Sequence, residues 1–274
     1  MRGAVKLTLL SWKIVNKLKN PTYPSGTNLF KGKGVILTAA AGAGIGFASA
    51  KRFLEEGADI VISDAHETRL ADATKNLSDL DLGNVSSILC DVTDDKAIDD
   101  LFNFAESKLD SVDAVINNAG LGGECELINM TNDEWSKVID ITLNGAMKIM
   151  RAAIPVLETS QGCIVNNASV LGWRAQAGQS HYAAAKAGVM ALTRCVALET
   201  VEKGIRINAV APSLAINPHL AKTSSNELID HLVSQEAYGR GAEPWEVANV
   251  ILFLASDLAS YLTGEVISVS SQRA

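Results

Sequence analysis

The chain has 274 residues, of which 47% are hydrophobic and 20% are charged, which is enough apolar material for one large core. Its formal net charge of −7 argues against nucleic acid as the main partner. Nothing in the sequence approaches the roughly 20 apolar residues that a membrane span needs. We therefore expect a single domain that acts on a small molecule.

The first 28 residues differ from the rest and are predicted to be a basic extension, with the domain itself at 29–274. This extension contains five basic residues and no acidic one: Arg2, Lys6, Lys13, Lys17 and Lys19. It does not resemble a signal peptide, because its apolar run at 7–10 is short and no small-residue cleavage site follows.

From residue 33 the sequence alternates between β-branched runs and helical patterns. The runs predict strands at 34–39, 59–64, 85–91, 113–120, 163–169, 205–212 and 265–269. The helical patterns lie at about 44–56, 67–79, 94–109, 131–157, 181–203 and 244–257. Continuous apolar strands between amphipathic helices predict an α/β fold: one Rossmann-type, doubly wound parallel sheet of seven strands with helices on both faces. Ligands of such folds bind at the carboxyl ends of the strands.

One irregular insertion, at 213–240, interrupts this alternation. It is polar and partly helical, and it begins at the carboxyl end of the sixth strand. Its position suits a lid over a substrate, although a surface excursion would give the same pattern.

The four cysteines, Cys90, Cys125, Cys163 and Cys195, lie far apart and form no C-x-x-C motif. Three of them fall within strand or helix patterns. We interpret them as buried reduced thiols of a cytoplasmic protein, and we expect no metal site.

The loop "TAAAGAGIG" at 38–46 follows the first strand and opens the first helix. A helix N-terminus in that position presents unpaired N–H groups to a diphosphate. The full G-x-G-x-x-G pattern is incomplete, since Phe47 stands where its last glycine belongs. Ala40 replaces a glycine of the related pattern T-G-x-x-x-G-I-G, which is tolerable only if its φ is negative. A plain strand-to-helix turn is the alternative.

A stronger signal lies in "NNASVLGWRAQAGQSHYAAAK" at 166–186. Ser169 ends the fifth strand, and Tyr182 and Lys186 lie one turn apart on the next helix, where positions i and i+4 share a face. The phenol and the ammonium therefore point toward the same strand end. This arrangement suits proton transfer to or from a hydroxyl or carbonyl group.

These motifs resemble those of the short-chain dehydrogenase/reductase family from about residue 31 onward. The resemblance rests on the glycine loop, on N-N-A-G at 117–120, on Ser169 with the Y-x-x-x-K pair, and on "RINAVAP" at 206–212. The combination is specific, whereas each motif alone is weak.

The resemblance implies roles for individual residues. Tyr182 is the general acid/base, Lys186 lowers the pKa of Tyr182 and holds the nicotinamide ribose, and Ser169 orients the substrate. Thr142 stands where many members carry a fourth catalytic residue, an asparagine. The residues expected to contact the cofactor, besides Tyr182 and Lys186, are Ala40, Gly42, Gly44, Ile45, Gly46, Asp64, Asp91, Val92, Asn117, Asn118, Ala119, Gly120 and Pro212.

Asp64 bears on the choice of cofactor. It ends the second strand, and family members with an acid there use it on the adenosine ribose hydroxyls, where it repels a 2′-phosphate. The resemblance therefore favours NAD, with NADP as the second possibility. A simple helix cap would occupy the same position.

A closer resemblance is to a bacterial subgroup that acts on the hydroxy-indanone carboxyl-CoA left from steroid rings C and D. It implies a CoA thioester substrate and makes Trp173, Arg174 and Gln176 candidates for the pocket. The alternative is that Trp173 covers the core and Arg174 is solvated.

Two other functions stay open at this stage. One is a 3-oxoacyl-thioester reductase of fatty-acid metabolism, whose usual NADPH preference Asp64 argues against. The other is a non-catalytic nucleotide-binding scaffold, against which the joint presence of Ser169, Tyr182 and Lys186 argues. The small-residue face of the 181–203 helix is consistent with a homodimer or homotetramer, or with burial inside the monomer.

Overall fold

A computed structural model describes residues 21–216 and 226–271 of the chain. Its strands are β1 Gly34–Leu37, β2 Asp59–Asp64, β3 Val85–Leu89, β4 Ala114–Asn117, β5 Cys163–Asn167, β6 Arg206–Pro212 and β7 Val266–Val269. They form one parallel sheet in the order β3-β2-β1-β4-β5-β6-β7. The predicted seven-stranded doubly wound fold is confirmed.

Helices cover both faces of the sheet. They are α1 Ile45–Glu55, α2 Glu67–Ser78, α3 Asp95–Lys108, α4 Asn132–Ile139, α5 Gly145–Ser160, α6 Ser180–Thr200, α7 Asn226–Gln235 and α8 Pro244–Ala255. One apolar cluster joins α1, α2 and α8 to one face, for example Phe53, Leu70 and Leu254. A second joins α3 and α5 to the other face, for example Leu101 and Ile149.

The pattern predicted as one helix at 131–157 is two helices joined by a π turn, Asp140–Asn144. The turn lies where the helix passes close to the β3–α3 connection. A Cβ atom added at Gly145 would lie 2.7 Å from Val92 Cγ2, so the backbone there is in direct contact with its neighbour. Single π turns inside α-helices frequently mark functional sites.

Residues 21–30, which we call the N-terminal strap, pack across α1 and α8. The ring of Tyr23 lies 5.3 Å from that of Trp245, and its hydroxyl donates to Glu55 at 2.8 Å. The backbone N–H groups of Thr27 and Leu29 donate to the carboxylate of Glu56, at 2.7 and 3.1 Å. Burial opposes the ionisation of Glu56, but these N–H groups hold its pKa below the usual value.

The domain boundary predicted at residue 28 stays a prediction, and residues 1–20 lie outside the described part of the chain. The contacts of the strap lead us to expect that a removable segment ends before residue 21, because the strap supplies hydrogen bonds to a buried carboxylate.

The insertion at 213–240 is described only in part. It contains α7, and Ala215 pairs with Ala242 in an isolated parallel bridge. Residues 217–225 lie outside the described residues, so the predicted lid stays a prediction. Within the described ranges, no helix is both long and apolar enough to cross a bilayer, and no cluster of metal-ligating side chains occurs.

All four cysteines are free thiols. Cys90 and Cys163 are buried as expected, and burial raises their pKa values to about 12 and about 11. The expectation is wrong for Cys195, which is exposed. It lies on the outward side of α6, where the alternation of apolar residues does not distinguish a buried face from a solvent-facing one.

Candidate active site

The strand order reverses direction between β1 and β4, and the carboxyl ends of these two strands frame the site. β2 and β3 lie to one side, and β5, β6 and β7 to the other. Connections that leave neighbouring strands in opposite directions open a crevice at this point, and ligands of doubly wound sheets bind there.

The glycine loop leads from β1 to the N-terminus of α1. Gly44 is the N-cap of α1, no side chain caps this end, and the first turn holds no acidic residue. A Cβ atom at Gly44 would meet nothing within 4 Å, whereas one at Gly46 would lie 2.4 Å from the Ala39 carbonyl oxygen. Gly46 therefore allows the helix to pack against the loop, and the space beside Gly44 and its unpaired N–H groups fits a diphosphate.

Ala40 meets the condition that the sequence motif sets for it, and its neighbour Ala39 has the unusual backbone conformation. Ala40 is fully buried and its φ is not positive, so the methyl group causes no strain there. Ala39 instead has a φ of +49° and Gly42 a φ of +95°. A left-handed conformation is uncommon for alanine, so the strained position lies one residue before the one that the motif singles out.

Asp64 lies at the end of β2 and is buried. Its carboxylate accepts hydrogen bonds from the backbone N–H of His66 at 3.0 Å and from the guanidinium of Arg69 at 3.1 Å. His66, not Asp64, caps α2 with its side chain. The capping alternative for Asp64 is therefore wrong. The end of β2 that carries Asp64 lies beside the glycine loop, since the Ala40 N–H donates to the Ser63 carbonyl at 3.0 Å.

The N-N-A-G motif forms the floor between β1 and β4. The hydroxyl of Thr38 accepts from the N–H groups of Asn118 and Ala119 at 3.0 and 3.2 Å. Asn118 donates its side-chain amide to the carbonyl oxygens of Thr38 and Ala39 at 3.2 and 3.0 Å. Asn117 points the other way and donates to the Ala146 carbonyl, so it stabilises the fold and Asn118 lines the crevice.

Three further cofactor candidates lie at strand ends. The Asp91 carboxylate accepts from the N–H and hydroxyl of Thr93 at 2.9 and 2.8 Å, which shapes the turn after β3. Val92 is buried, and Pro212 ends β6. All three lie at the carboxyl edge of the sheet, and their contact with a cofactor stays a prediction.

Ser169, Tyr182 and Lys186 come together as predicted. Ser169 begins the short 3₁₀ turn after β5, and its oxygen accepts from the Leu171 N–H at 3.2 Å. Its own proton is thus available to donate to the oxygen of Tyr182, with which it is hydrogen-bonded. Lys186 Nζ lies 5.6 Å from the centre of the Tyr182 ring and donates to the backbone carbonyl of Asn167 at 2.5 Å.

The electrostatics of these groups follow from their burial. Burial raises the pKa of Tyr182 above its usual value, while the bond from Ser169 acts in the opposite direction. Burial lowers the pKa of Lys186 to about 8. Tyr182 is therefore a neutral phenol near pH 7, able to donate a proton, and Lys186 is a cation that titrates close to physiological pH.

Comparison with known proteins decides the family. Residues 39–271 match the family model described as enoyl-(acyl carrier protein) reductase. The chain is 56% identical over 254 residues to the (5R,7aS)-5-hydroxy-7a-methyl-1-oxo-2,3,5,6,7,7a-hexahydro-1H-indene-carboxyl-CoA reductase of Mycobacterium tuberculosis, covering 92% of this chain and 97% of that one. It is 37% identical over 240 residues to the meso-2,3-butanediol dehydrogenase of Serratia marcescens, covering 88% and 94%. The crystal structure of a short chain dehydrogenase from Mycobacterium smegmatis matches with a TM-score of 0.83 at 53% identity, covering 93% and 99%.

This chain belongs to the short-chain dehydrogenase/reductase family. It is an oxidoreductase acting on alcohol or keto groups, and the scaffold alternative is wrong. The family uses NAD or NADP, and the crevice fits such a group: the uncapped end of α1 faces open space beside Gly44. The glycine loop would hold its diphosphate, and Lys186 its nicotinamide ribose.

Thr142, at the fourth family position, lies in the π turn and is fully buried. Its hydroxyl accepts from the Leu121 N–H at 2.9 Å and donates to the Leu121 carbonyl at 3.1 Å. The π turn therefore fixes the backbone directly after Gly120. This is a positional role that a hydroxyl can perform as well as an amide, since both groups donate and accept.

The predicted substrate residues lie in the connection between β5 and α6, after Ser169. Trp173 is 52% exposed and follows the 3₁₀ turn that Ser169 begins. It does not cover the core, so that alternative is wrong. Arg174 is half-buried and its side chain is not free, and Gln176 is exposed.

Sequence reasoning missed the segment at 121–125, which faces the residues around Tyr182. A Cβ atom at Gly122 would lie 3.8 Å from Tyr182 Cδ2, and one at Gly123 would lie 3.2 Å from His181 Nε2. The signal in the sequence was "LGGE", directly after N-N-A-G. Paired glycines allow close approach of a backbone to another group.

Proposed function

We propose that this enzyme is an NAD-dependent reductase of a ketone on a fused-ring carboxyl-CoA thioester. The carrying observation is the neutral phenol of Tyr182, hydrogen-bonded to Ser169 and close to the Lys186 ammonium at the carboxyl edge of the sheet. These three groups provide a proton donor, a carbonyl-orienting hydroxyl and a positive charge within one site.

The chemistry assigned to the chain's own residues is the following. The substrate carbonyl oxygen binds between the hydroxyls of Ser169 and Tyr182. When bound, a nicotinamide cofactor would supply the hydride for the carbonyl carbon. Tyr182 gives its phenolic proton to the carbonyl oxygen, so the product is a secondary alcohol. Lys186 stabilises the phenolate that this transfer leaves on Tyr182, and the phenolate regains its proton from solvent.

The substrate class rests on the relative from Mycobacterium tuberculosis, whose name specifies an indene-carboxyl-CoA compound, and on Trp173. An indole ring 52% exposed at the rim offers a flat apolar surface to a rigid ring system. Burying apolar area there contributes about 25 cal/mol per Å². A linear acyl chain gains less, because it loses more conformational freedom on binding.

NAD is the proposed cofactor because the Asp64 carboxylate occupies the end of β2 beside the glycine loop. A carboxylate accepts hydrogen bonds from ribose hydroxyls and repels a 2′-phosphate. Arg69, at 3.1 Å from Asp64, offsets part of this charge, so the preference for NAD is expected to be finite and not absolute.

We further infer a homodimer or homotetramer that works in the cytoplasm. The small residues of α6 lie on two faces, one packed inside the monomer and one exposed to solvent. Gly188 packs against Leu143 within the monomer, where a Cβ atom would lie 2.8 Å from Leu143 Cδ1. Ala184 and Ala191 face outward on the same helix, together with the larger, exposed Leu198, and this outward surface supports an intersubunit contact.

The test is a spectrophotometric screen of the purified full-length enzyme. Reduction of the indene-carboxyl-CoA ketone by NADH is expected to exceed reduction of acetoacetyl-CoA at equal concentration. Activity confined to linear 3-oxoacyl thioesters would instead assign the chain to the fatty-acid type of reductase. NADPH as the better reductant would overturn the assignment of NAD.

A further inference from the structure

A series of hydrogen bonds connects the glycine loop to Lys186. Asn118 Nδ2 donates to the carbonyl oxygen of Ala39 at 3.0 Å. Asn118 Oδ1 accepts from Asn167 Nδ2 at 2.8 Å. The backbone carbonyl of Asn167 accepts from Lys186 Nζ at 2.5 Å. Asn167, the last residue of β5, therefore contacts both the cofactor floor and the proton-transfer group.

The chemistry of the partners determines how both amides are oriented. Backbone carbonyl oxygens only accept, so Asn118 must present its Nδ2 to the loop and its Oδ1 to β5. Asn167 must then present its Nδ2 to Asn118. This leaves Asn167 Oδ1 buried and without a hydrogen-bond partner. A buried acceptor without a partner lowers stability, so the contribution of this side chain comes from its Nδ2 group, which is fixed to Asn118.

The adjacent Asn166 shows what a purely structural asparagine looks like in the same strand. It is fully buried; its Oδ1 accepts from Asn117 Nδ2 at 2.9 Å, and its Nδ2 donates to the Thr193 hydroxyl at 3.0 Å. Both ends of this amide are satisfied, and both partners lie in the interior of the fold.

We propose that Asn167 is a positioning residue for Lys186. Its amide, fixed to Asn118, holds the end of β5 against the glycine loop, and so fixes the carbonyl that receives the Lys186 ammonium. The loop that binds the diphosphate and the lysine that supports proton transfer then form one rigid unit. This inference rests on the proposed function of Lys186 in the reduction.

Lys186 is sensitive to such positioning because it is buried and closely surrounded. A Cβ atom at Gly120 would lie only 3.1 Å from its Nζ. A small displacement of the Asn167 carbonyl would lengthen the bond to a buried ammonium, and a buried charge depends strongly on each remaining partner.

The experiment compares Asn167→Leu with Asn118→Ala, the double variant, and the matched control Asn166→Ser. Three quantities are measured: NADH affinity by fluorescence titration, kcat and KM for the ketone that the wild type reduces, and the thermal midpoint Tm. For Asn167→Leu we expect kcat to fall at least 10-fold, the NADH Kd to rise about 3- to 10-fold, KM for the ketone to stay within 2-fold and Tm to change little. For Asn166→Ser we expect a lower Tm with kcat within 2-fold of wild type.

In the double variant, the loss in kcat is expected to equal that of the more affected single variant. The reason is that both substitutions break the same hydrogen bond, the one between Asn167 and Asn118. Independent, multiplying losses would overturn the proposal, as would a kcat of Asn167→Leu within 2-fold of wild type. If Asn167→Leu does not fold, Asn167→Ser and Asn118→Ala test the same bond. If the wild type reduces no ketone, the proposed function fails, and the NADH titration still reports whether Asn167 and the loop are coupled.

Discussion

The two halves of the site are built differently. The proposed cofactor half, which comprises the glycine loop and the ends of β2 and β4, is fixed by hydrogen bonds that buried groups such as Thr38 and Asp64 accept. The proposed substrate half, which comprises residues 121–125 and 173–176, consists of connections whose side chains include the half-exposed Trp173. The groups proposed for the reaction therefore lie on α6 and at the end of β5, whereas the residues proposed for substrate choice lie in loops, which change at lower cost to the fold.

Tyr182 lies where the two halves meet, so its replacement is expected to have the largest effect. Tyr182→Phe removes the proton donor and almost no volume, and should lower kcat about 10³-fold or more. NADH affinity, measured by fluorescence titration, should stay unchanged, because the cofactor half is intact. The control is Tyr261→Phe, a fully exposed residue outside both halves of the site, which should retain full activity. Residual activity of Tyr182→Phe above about a tenth of wild type would contradict the assigned mechanism.

Lys186→Met is expected to raise the stability of the fold at neutral pH while it lowers the activity. Between pH 8 and the ordinary lysine pKa of 10.5, the unfolded chain binds more protons than the folded one, so the contribution of Lys186 to stability rises with pH in that window. Below pH 8 Lys186 is charged in both states, so the free energy of unfolding carries the whole cost of burying its ammonium. The variant should therefore gain on the order of 1–3 kcal/mol in the free energy of unfolding at pH 7, less at pH 10, while losing turnover.

Urea unfolding at the two pH values measures this difference, with Lys203→Met as the surface control. The Lys203 ammonium is exposed and pairs with Glu158, so its loss should have little effect at either pH. A Lys186→Met variant that is less stable at pH 7 than the wild type would show that the ammonium contributes more through its hydrogen bond than burial removes.

Asp64→Ala tests the cofactor half alone. Loss of the carboxylate removes its repulsion of a 2′-phosphate and should narrow the NAD-over-NADP ratio of kcat/KM about 10-fold. Arg69→Ala is the matched control, because it leaves the carboxylate and removes its partner, and should keep or increase the ratio. Unchanged preference in Asp64→Ala would place the source of discrimination elsewhere in the loop.

Trp173→Ala tests the substrate half and is expected to have the smallest effect. KM for the fused-ring carboxyl-CoA substrate should rise about 5- to 10-fold, consistent with loss of part of an apolar wall, with little change for acetoacetyl-CoA. Trp135→Ala, at an exposed tryptophan of α4, serves as control. Equal effects of Trp173→Ala on both substrates would remove the case for ring recognition.

The sequence predicted the fold and the three central residues because both depend on local patterns. All seven strands were identifiable from β-branched runs, and Tyr182 and Lys186 from their spacing on one helix face. The π turn at Asp140–Asn144 was not predictable, since its residues continue the helical pattern without interruption. The strain at Ala39 and the role proposed for Asn167 depend on hydrogen bonds between residues about 80 and 50 positions apart, which single-sequence periodicity does not report.

The N-terminal strap has a consequence for ligand binding. It holds the carboxyl end of α1 through Glu55 and Glu56, while the opposite end of that helix faces the position proposed for the diphosphate. Because the helix is fixed at its far end, it does not shift when a charged ligand binds. The N–H groups of its first turn therefore already point toward the position proposed for the ligand. The loss of conformational entropy needed to order them then occurs on folding and not on binding, which favours tight association with the cofactor.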